Sequence, residues 1–278
     1  MVFEKMIALD STDIVAWLNL GWSYQYNKQY PESEQAFKKS ISFDSICYVS
    51  WYGLGTTYHY AGKYTEGEIA YKKSIELMRF YPNEWIGLGN LYVSAGKYVE
   101  AEAAYINAIE LDSTNKWTWR FLGNCMSYTK RYKEAETAYR KSIELDSTNA
   151  ETWRNLGEAF RNLKLNEEAE NAYKKAIALD STYALVWGQL RILYSNEQRY
   201  LEAEPIFRKA IALDSSQASH WNNLGHVLLE TQRYTEAELV LKRAITLDPA
   251  LAINANTSPP CIFEPVAWKK PAGLPKSN

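Results

Sequence analysis

Residues 85–92 read Trp-Ile-Gly-Leu-Gly-Asn-Leu-Tyr, and the Trp that opens this stretch recurs every 34 residues along the sequence. It stands at 17, 51, 85, 119, 153, 187 and 221. A fixed period of this length indicates a repeat array, in which each repeat is one supersecondary unit. We number the positions of a repeat so that this Trp is position 4, which makes residue 14 position 1 of the first repeat.

Two amphipathic helices are predicted within each repeat. Position 7 is Leu in all seven repeats, position 8 is Gly in six with Arg191 as the exception, and position 11 is large and apolar. Together with the Trp, these positions follow the i, i+3, i+4, i+7 spacing of one face of an α-helix, which we call helix A. A second stripe at positions 20, 24, 27 and 28 predicts helix B after a short turn.

The pattern also gives boundaries for the repeats. The seven predicted repeats are residues 14–47, 48–81, 82–115, 116–149, 150–183, 184–217 and 218–251. Residues 1–13 match the end of a helix B, which we interpret as the remnant of a preceding repeat, with a short N-terminal capping helix as the alternative. Residues 252–278 carry five of the nine prolines and no periodicity, which predicts a mostly irregular, Pro-rich tail. Ile262, Phe263 and Trp268 are candidates to cover the last helix B, and uncovered ends would favour self-association.

Charged and small polar residues follow the helices. Positions 19 and 21 are Glu in every repeat and positions 25 and 26 are basic in six, which complements the helix dipole at the two ends of helix B. Leu-Asp-Ser-Thr at 111–114, 145–148 and 179–182 is expected to supply Ser or Thr caps for the following helix A.

Composition narrows the classes of function. The net charge of −2 gives no reason to expect a nucleic-acid or membrane partner. Cys47, Cys125 and Cys261 are odd in number and far apart, which is typical of a reducing compartment, and no signal peptide or membrane span is recognised. His220 and His226 are six residues apart and so do not share one metal-binding helix face. We therefore expect a soluble, cytoplasmic protein with no catalytic residues, metal or cofactor.

The motif Trp-x-x-Leu-Gly-x-x-Tyr, followed by Ala-x-x-x-Phe or Tyr, resembles the tetratricopeptide repeat family, and the resemblance covers residues 14–251. Pentatricopeptide RNA readers have a similar period, but they do not combine Trp, Leu, Gly and Ala at positions 4, 7, 8 and 20. The family usually has Pro at position 32, where this sequence keeps only Pro249. The resemblance implies an all-α fold, a right-handed α-solenoid or superhelix of seven 34-residue antiparallel helix-turn-helix repeats.

In the family, helices A line a concave groove that holds a partner segment. The residues that face this groove are at positions 2, 5, 6, 9, 12 and 13 of the repeat. The candidate peptide-binding residues on this stripe are Tyr52, Asn90, Trp117, Arg120, Phe121, Asn124, Tyr128, Arg154, Asn155 and Gln189. Trp117 is additional to the repeat's own Trp119. It is either a hot spot for an extended peptide or padding against the preceding repeat.

One ligand-binding pattern of the family, the carboxylate clamp for chaperone C-termini, is matched in part. Arg120, Asn124 and Asn155 match its first three residues, with Arg in place of Lys, whereas Leu185 and Gln189 do not match the rest. A looser site for a carboxylate or backbone amides is therefore favoured. In repeat 5, Arg154, Glu158 and Arg161 lie at i, i+4 and i+7 and are predicted to pair with each other.

Two hypotheses on function follow. The first is a protein–protein interaction scaffold that binds a peptide or protein segment in the groove, centred on repeats 4 and 5. The second is the substrate-recruiting arm of a larger enzyme that resembles a glycosyltransferase, which the start inside a repeat suggests. No Gly-rich phosphate loop and no His-Glu-x-x-His motif is present, so we do not expect the protein itself to be an enzyme.

Overall fold

The computed structural model describes residues 2–251, and all of its regular secondary structure within that range is α-helical. The fifteen helices of this range are α1 Val2–Leu9, α2 Ile14–Tyr26, α3 Tyr30–Phe43, α4 Tyr48–Tyr60, α5 Tyr64–Leu77, α6 Pro82–Ser94, α7 Tyr98–Leu111, α8 Lys116–Tyr128, α9 Tyr132–Leu145, α10 Ala150–Asn162, α11 Asn166–Leu179, α12 Ala184–Asn196, α13 Tyr200–Leu213, α14 Ala218–Glu230 and α15 Tyr234–Leu247. Even-numbered helices are helices A and start at 34-residue intervals. The predictions for the tail, including Ile262, Phe263 and Trp268, lie outside the described residues.

The protein divides into two compact units. Unit 1 runs to Ala172 and unit 2 begins at Tyr173, so the division falls inside α11. In unit 1 each helix A packs on the helix B that follows it, and each helix B packs on the next helix A, from α2 through α10. In unit 2 the same order holds from α12 to α15. This succession of antiparallel hairpins confirms the predicted all-α solenoid class.

The core of most hairpins is an aromatic ring from helix B seated on a glycine of helix A; repeat 6 has Arg191 in place of the glycine and repeat 7 has Leu241 in place of the ring. Tyr139, at position 24, is only 1% exposed. A Cβ added to Gly123, at position 8, would lie 2.6 Å from the Tyr139 ring. Gly89 stands in the same relation to Tyr105, at 2.5 Å. Position 8 is therefore Gly because the two helix backbones are separated only by this ring.

The repeated Trp fills less of the core than its size suggests. Six of the seven are half-buried, and only Trp187 is fully buried. Each indole N–H donates to the backbone carbonyl six residues earlier, as in Trp119 to Ser113 at 2.9 Å. The Trp side chain thus fixes the loop that enters helix A, while the rings at position 24 occupy the interior.

The prediction that Ser or Thr caps helix A is wrong. Thr114 donates its hydroxyl and its backbone N–H to Asp112, at 2.6 and 2.9 Å, which closes a turn before the helix. The cap comes one residue later: Asn149 accepts from the Thr152 N–H at 2.8 Å, and Asp13 and Asn115 act in the same way. A short side chain directly before the first helical residue is the better placed acceptor.

Each helix A ends in a residue with positive φ at position 15. The seven residues are Lys28, Gly62, Gly96, Lys130, Lys164, Gln198 and Gln232, with φ between 57° and 73°. In repeat 4, Arg131 N–H donates to the Met126 carbonyl at 2.8 Å and Lys130 N–H donates to Ser127 at 3.0 Å. This pair of bonds is the Schellman motif, which favours glycine at the left-handed residue.

Lys130→Gly should therefore stabilise the protein. The left-handed conformation is unfavourable for a residue with Cβ, and removing that cost outweighs the added freedom of the unfolded state, for a net gain of about 0.5–1 kcal/mol. Urea unfolding at neutral pH measures the difference. The reverse change, Gly96→Ala, should lower the free energy of unfolding by a similar amount. A Lys130→Gly protein that is less stable than the parent would contradict the assignment of strain to this turn.

In unit 1, Glu at position 21 joins repeat 1 to repeat 2 and repeat 2 to repeat 3. Glu68 accepts hydrogen bonds from Lys72 in its own helix at 2.7 Å, and from Lys97 and the Tyr92 hydroxyl in the next repeat at 3.0 and 2.9 Å. Glu34 makes the same three kinds of contact in the preceding repeat. These bonds oppose desolvation and lower the pKa of Glu68 to about 2. Beyond complementing the helix dipole, this Glu therefore ties one hairpin to the next.

Candidate functional site

The predicted binding stripe belongs to one face of unit 1, which we call the helix-A face. It is formed by positions 2, 5, 6, 9, 12 and 13 of α2, α4, α6, α8 and α10. Along unit 1, α2 contacts α4, α4 contacts α6, and α8 contacts α10. Side chains at equivalent positions of neighbouring repeats are thus brought next to each other, although they are about 34 residues apart in sequence.

Trp117 is well exposed for a side chain of its size, with 42% of its surface accessible. It lies at position 2, in the first turn of α8. The Lys116 ammonium is 5.2 Å from the ring centroid and the Arg120 guanidinium is 5.0 Å from it. Cation–π contacts of this length are attractive, so they restrain the orientation of an indole that solvent or a ligand can reach.

Arg120 is itself mostly buried, with 8% of its surface exposed. Its guanidinium forms an ion pair with Glu151 in the first turn of α10 and also lies 5.3 Å from the Phe121 ring centroid. Phe121 in turn packs against Tyr105, with ring centroids 5.7 Å apart. Arg120 therefore links α8 to α10 and supports Trp117, so much of its charge is balanced within the protein.

The predicted asparagines lie in one hydrogen-bonded network. The Tyr139 hydroxyl donates to Asn124 Oδ1 at 2.9 Å, and Asn155 Nδ2 donates to the same oxygen at 2.9 Å. One repeat earlier, the Tyr105 hydroxyl donates to Asn90 Oδ1 at 2.7 Å. Asn at position 9 is thus the acceptor for the core tyrosine of its own hairpin. This use competes with a role for the Asn124 oxygen in binding a ligand.

Repeat 5 shows the predicted pairing on its surface. Arg154 is 3.2 Å and Arg161 is 3.8 Å from the Glu158 carboxylate. The prediction that these three side chains pair with each other is confirmed. The pairing reduces the positive charge that Arg154 can offer to an acidic ligand.

Three candidate residues lie apart from this group. Tyr52 is half-buried against Trp22 and Tyr71, with ring centroids 6.1 and 5.6 Å away, and its burial raises its pKa. Tyr128, at the end of α8, is exposed and stacks on Tyr98 with centroids 4.7 Å apart. Gln189 belongs to unit 2, where its Oε1 is buried. The structure therefore brings together Asn90, Trp117, Arg120, Phe121, Asn124 and Asn155, while the remaining candidate, Arg154, is paired with Glu158 on α10.

Two features of unit 1 escaped the sequence analysis. Glu151 is position 2 of repeat 5, and its pairing with Arg120 is found only when position 2 of one repeat is aligned with position 5 of the repeat before it. A cavity of about 280 Å³ also lies between α3, α4 and α5, lined by apolar side chains that include Ile41, Trp51 and Leu54. The periodic pattern contains no signal for it, because these positions are apolar in every repeat.

None of the helices within residues 2–251 is both long enough and apolar enough to cross a membrane. Within the same range, His, Cys, Asp and Glu side chains form no group of three that could hold a metal ion. Cys125 is fully buried, and burial raises the pKa of its thiol to about 12.

Sequence models of known families match most of the repeat region. Residues 79–251, more than half of the sequence, match the model described as the cilia and flagella-associated protein 70 C-terminal domain. Residues 14–47 and 48–79 each match the tetratricopeptide repeat model. No curated protein matches this sequence significantly.

Solved structures with a similar fold are tetratricopeptide repeat proteins. YrrB, described as having an unusual peptide-binding site, is 20% identical with a TM-score of 0.57, and the match covers 68% of this protein and 97% of YrrB. A repeat protein from Cytophaga hutchinsonii is 16% identical with a TM-score of 0.69 over 85% of this protein and 98% of its own length. A chain of the Cut9–Hcn1 complex is 19% identical with a TM-score of 0.60, and the match covers 82% of this protein and 45% of that chain. With its hairpins, its ring-on-glycine cores and these matches, the protein belongs to the tetratricopeptide repeat family.

Proposed function

We propose that this protein binds an extended polypeptide segment on the helix-A face of unit 1, with Trp117 as the main contact. The family as a whole supports a repeat scaffold for protein interaction. YrrB, which shares the fold, is described as having a peptide-binding site. The specific choice of face and residue rests on the side chains of this protein.

The observation that carries the proposal is the exposed, restrained indole. Trp117 is not required for the core of its repeat, because Trp119 anchors the loop and Tyr139 fills the interior. The Lys116 ammonium and the Arg120 guanidinium both lie close to the ring. An aromatic side chain that is ordered before binding loses little conformational entropy on binding, and Trp is enriched among interface hot spots.

The polar groups around Trp117 favour a neutral or mixed segment over a clamped C-terminal carboxylate. Arg120 is paired with Glu151, and Asn124 accepts from Tyr139 and Asn155. These groups are partly committed to contacts between α8, α9 and α10. We infer that they set the shape of the floor beneath the ligand, while Trp117 supplies most of the buried apolar area.

Trp117→Ala should lower recovery of the native partner at least about tenfold, since loss of a hot-spot side chain costs about 2 kcal/mol or more. Affinity capture from a native lysate, quantified by mass spectrometry, compares this variant with the parent. Phe80→Ala is the matched control, because Phe80 is an exposed aromatic in the loop between α5 and α6, outside the helix-A face. Equal recovery by Trp117→Ala and the parent protein would contradict the proposal.

A second variant separates the charge of Arg120 from its pairing. Arg120→Glu alone places two carboxylates together beside Glu151, which destabilises the face for reasons unrelated to binding. Exchanging the charges, Arg120→Glu with Glu151→Arg, keeps the ion pair between α8 and α10. We expect this double variant to recover more of the partner than Arg120→Glu alone but less than the parent, because Trp117 loses its cation–π contact with Arg120. Helicity from circular dichroism checks that each variant is folded.

A further inference from the structure

The cavity between α3, α4 and α5 is a separate feature of unit 1, since none of the candidate residues of the helix-A face lines it. It measures about 280 Å³. Its walls are mostly apolar, with Ile41 from α3, Trp51 and Leu54 from α4, and Ile69 from α5. Ile69 is 64% exposed, so the cavity is open to solvent beside α5 and a ligand can enter it there.

Ile69 is unusual for its position in the repeat. It stands at position 22, where the other repeats of unit 1 have small or polar residues, namely Gln35, Ala103, Thr137 and Asn171. The hairpin fold therefore does not require a large apolar side chain here. In repeat 2 this side chain instead extends the apolar wall of the cavity to the surface, as in sites that bind apolar groups.

Trp51 forms a wall that is fixed before any ligand arrives. Its indole N–H donates to the backbone carbonyl of Ser45 at 2.9 Å, which holds the half-buried ring in one orientation. Water in a cavity with such walls has few hydrogen-bond partners, so an apolar group that displaces it gains affinity. The cavity is thus formed in advance for an apolar occupant.

The charges around the cavity favour an occupant without net charge. Lys38 and Lys63 both bind the Glu34 carboxylate, at 2.6 and 2.8 Å. Glu66 lines the cavity from α5, is exposed, and makes no hydrogen bond or ion pair with another residue of the described range 2–251. The two cations and two carboxylates balance each other, so a neutral group leaves no charge uncompensated. The Glu66 oxygens remain available to accept one hydrogen bond from it.

Size and hydrogen bonding together select an indole. The volume is nearly twice the roughly 150 Å³ of a cavity that holds benzene, which matches a bicyclic ring. An indole is apolar except for one N–H donor, and a buried indole N–H usually has an acceptor. A phenyl ring has no such donor and would leave the Glu66 carboxylate beside an apolar edge.

We propose that this cavity binds the side chain of a Trp residue in an uncharged segment of a partner polypeptide, with the indole N–H donating to the Glu66 carboxylate. Because the cavity is open beside Ile69, the main chain that carries the ring can stay in solvent. The site lies outside the helix-A face and does not depend on Trp117.

Four probes test the site on the full-length protein. Ac-Ser-Gly-Trp-Gly-Ser-NH2 carries the indole, the same peptide with 1-methyl-Trp lacks the N–H donor, the same peptide with Ser lacks the ring, and free indole lacks the main chain. Carbon-13 NMR of the Ile41 and Ile69 methyl groups follows each titration, because an aromatic ring nearby shifts their signals. We expect the Trp peptide to bind about tenfold more tightly than the 1-methyl-Trp peptide, the effect of one hydrogen bond to a charged group.

Three outcomes would overturn the proposal. Equal responses to the Trp and Ser peptides, or no response, would show that the cavity does not bind the ring. Equal affinities of the Trp and 1-methyl-Trp peptides would remove the hydrogen bond to Glu66. Free indole that bound more tightly than the Trp peptide would assign the cavity to a small aromatic molecule and not to a polypeptide.

Glu66→Ala tests the acceptor directly. It should weaken binding of the Trp peptide about tenfold and leave the 1-methyl-Trp peptide unchanged, because only the first loses a hydrogen bond. Glu100→Ala is the matched control, since Glu100 is the exposed residue at the same position of α7. Equal weakening by both variants would mean that Glu66 acts only through its general charge, which contradicts the proposal.

Ile69→Gln tests the wall. It introduces the residue that repeat 1 has at this position, so the variant should fold like the parent. Followed at Ile41, both the Trp and the 1-methyl-Trp peptides should bind about fivefold more weakly, since part of the apolar contact is removed. Unchanged affinities would rule out the cavity as the binding site. In the Trp117→Ala protein the Ile41 and Ile69 responses should persist, which distinguishes failure of this site from failure of the helix-A face.

Discussion

Tyr139→Ala should lower the free energy of unfolding by about 3–5 kcal/mol, the range observed when a large buried ring is removed from a close-packed core. Tyr139 is 1% exposed and lies against Gly123, so α8 and α9 cannot easily close the space that the ring leaves. The Tyr139 hydroxyl also supports the Asn124–Asn155 contact between α8 and α10. Urea unfolding monitored by circular dichroism measures the loss.

Tyr139→Phe is the matched control, because it keeps the ring and removes only the hydroxyl. Its expected cost is about 1 kcal/mol, the net value of one hydrogen bond. Phe37 occupies the same position in the first repeat and is fully buried without a hydroxyl. If the Ala and Phe variants were equally unstable, the stability of the hairpin would depend on the hydrogen bond and not on the ring.

Acid should weaken the junction between repeats through Glu68. Its pKa is lowered from the ordinary 4.5 to about 2 by hydrogen bonds from Lys72, Lys97 and Tyr92, against an opposing effect of burial. A carboxyl whose pKa is lower in the folded than in the unfolded state contributes stability above the unfolded value. That contribution, at most about 3 kcal/mol, is lost as the pH falls from about 5 towards 2.

Glu68→Gln should accordingly be less stable than the parent at pH 7, and the difference should shrink steadily below pH 5. Urea unfolding at a series of pH values measures it. Glu76→Gln on the same helix is the control, because Glu76 is exposed and, within residues 2–251, pairs only with Lys73, a contact worth a few tenths of a kcal/mol. Burial raises the pKa of Glu84, so this residue changes the stability with pH in the opposite direction to Glu68. The effect is the same in the parent and in the Glu68→Gln variant, so it cancels from the difference in their free energies of unfolding. A difference that is independent of pH would contradict the role assigned to Glu68.

The helices and their pairing could be predicted from the sequence because the same pattern of apolar residues occurs in all seven repeats. Position 8 shows this well: six glycines at a 34-residue spacing predict a close approach of two helices, and Gly123 lies against Tyr139 as expected. Local capping was less accessible. Ser and Thr are residue types that commonly cap helices, so the residues between the repeats predicted a Ser or Thr cap. In the structure, Thr114 donates a hydrogen bond to Asp112 within a turn, and Asn115 caps the helix.

For the candidate site, the sequence predicted only which positions lie on one face, not which side chains contact each other. Periodicity places Trp117, Arg120 and Asn124 on one face of α8, but it does not predict which side chains of the next repeat contact them. Glu151 forms an ion pair with Arg120, and the Asn155 side-chain amide donates a hydrogen bond to Asn124 Oδ1. Partners of this kind are about 31 residues apart in sequence, and nothing in the spacing distinguishes an internal partner from a ligand.

The sequence by itself determined the helical repeat, the number of hairpins, the residues of the core and the face on which Trp117 lies, because these depend on apolar periodicity within one repeat. Tertiary structure alone decided which polar groups on that face are satisfied internally and which are not. In unit 1 the Asn124 network is complete, whereas in unit 2 the Asn223 Nδ2 and the Arg191 Nε have no hydrogen-bond partner among the described residues. The physical reason is that a hydrogen bond requires two atoms within about 3 Å, and for these side chains the second atom comes from another repeat.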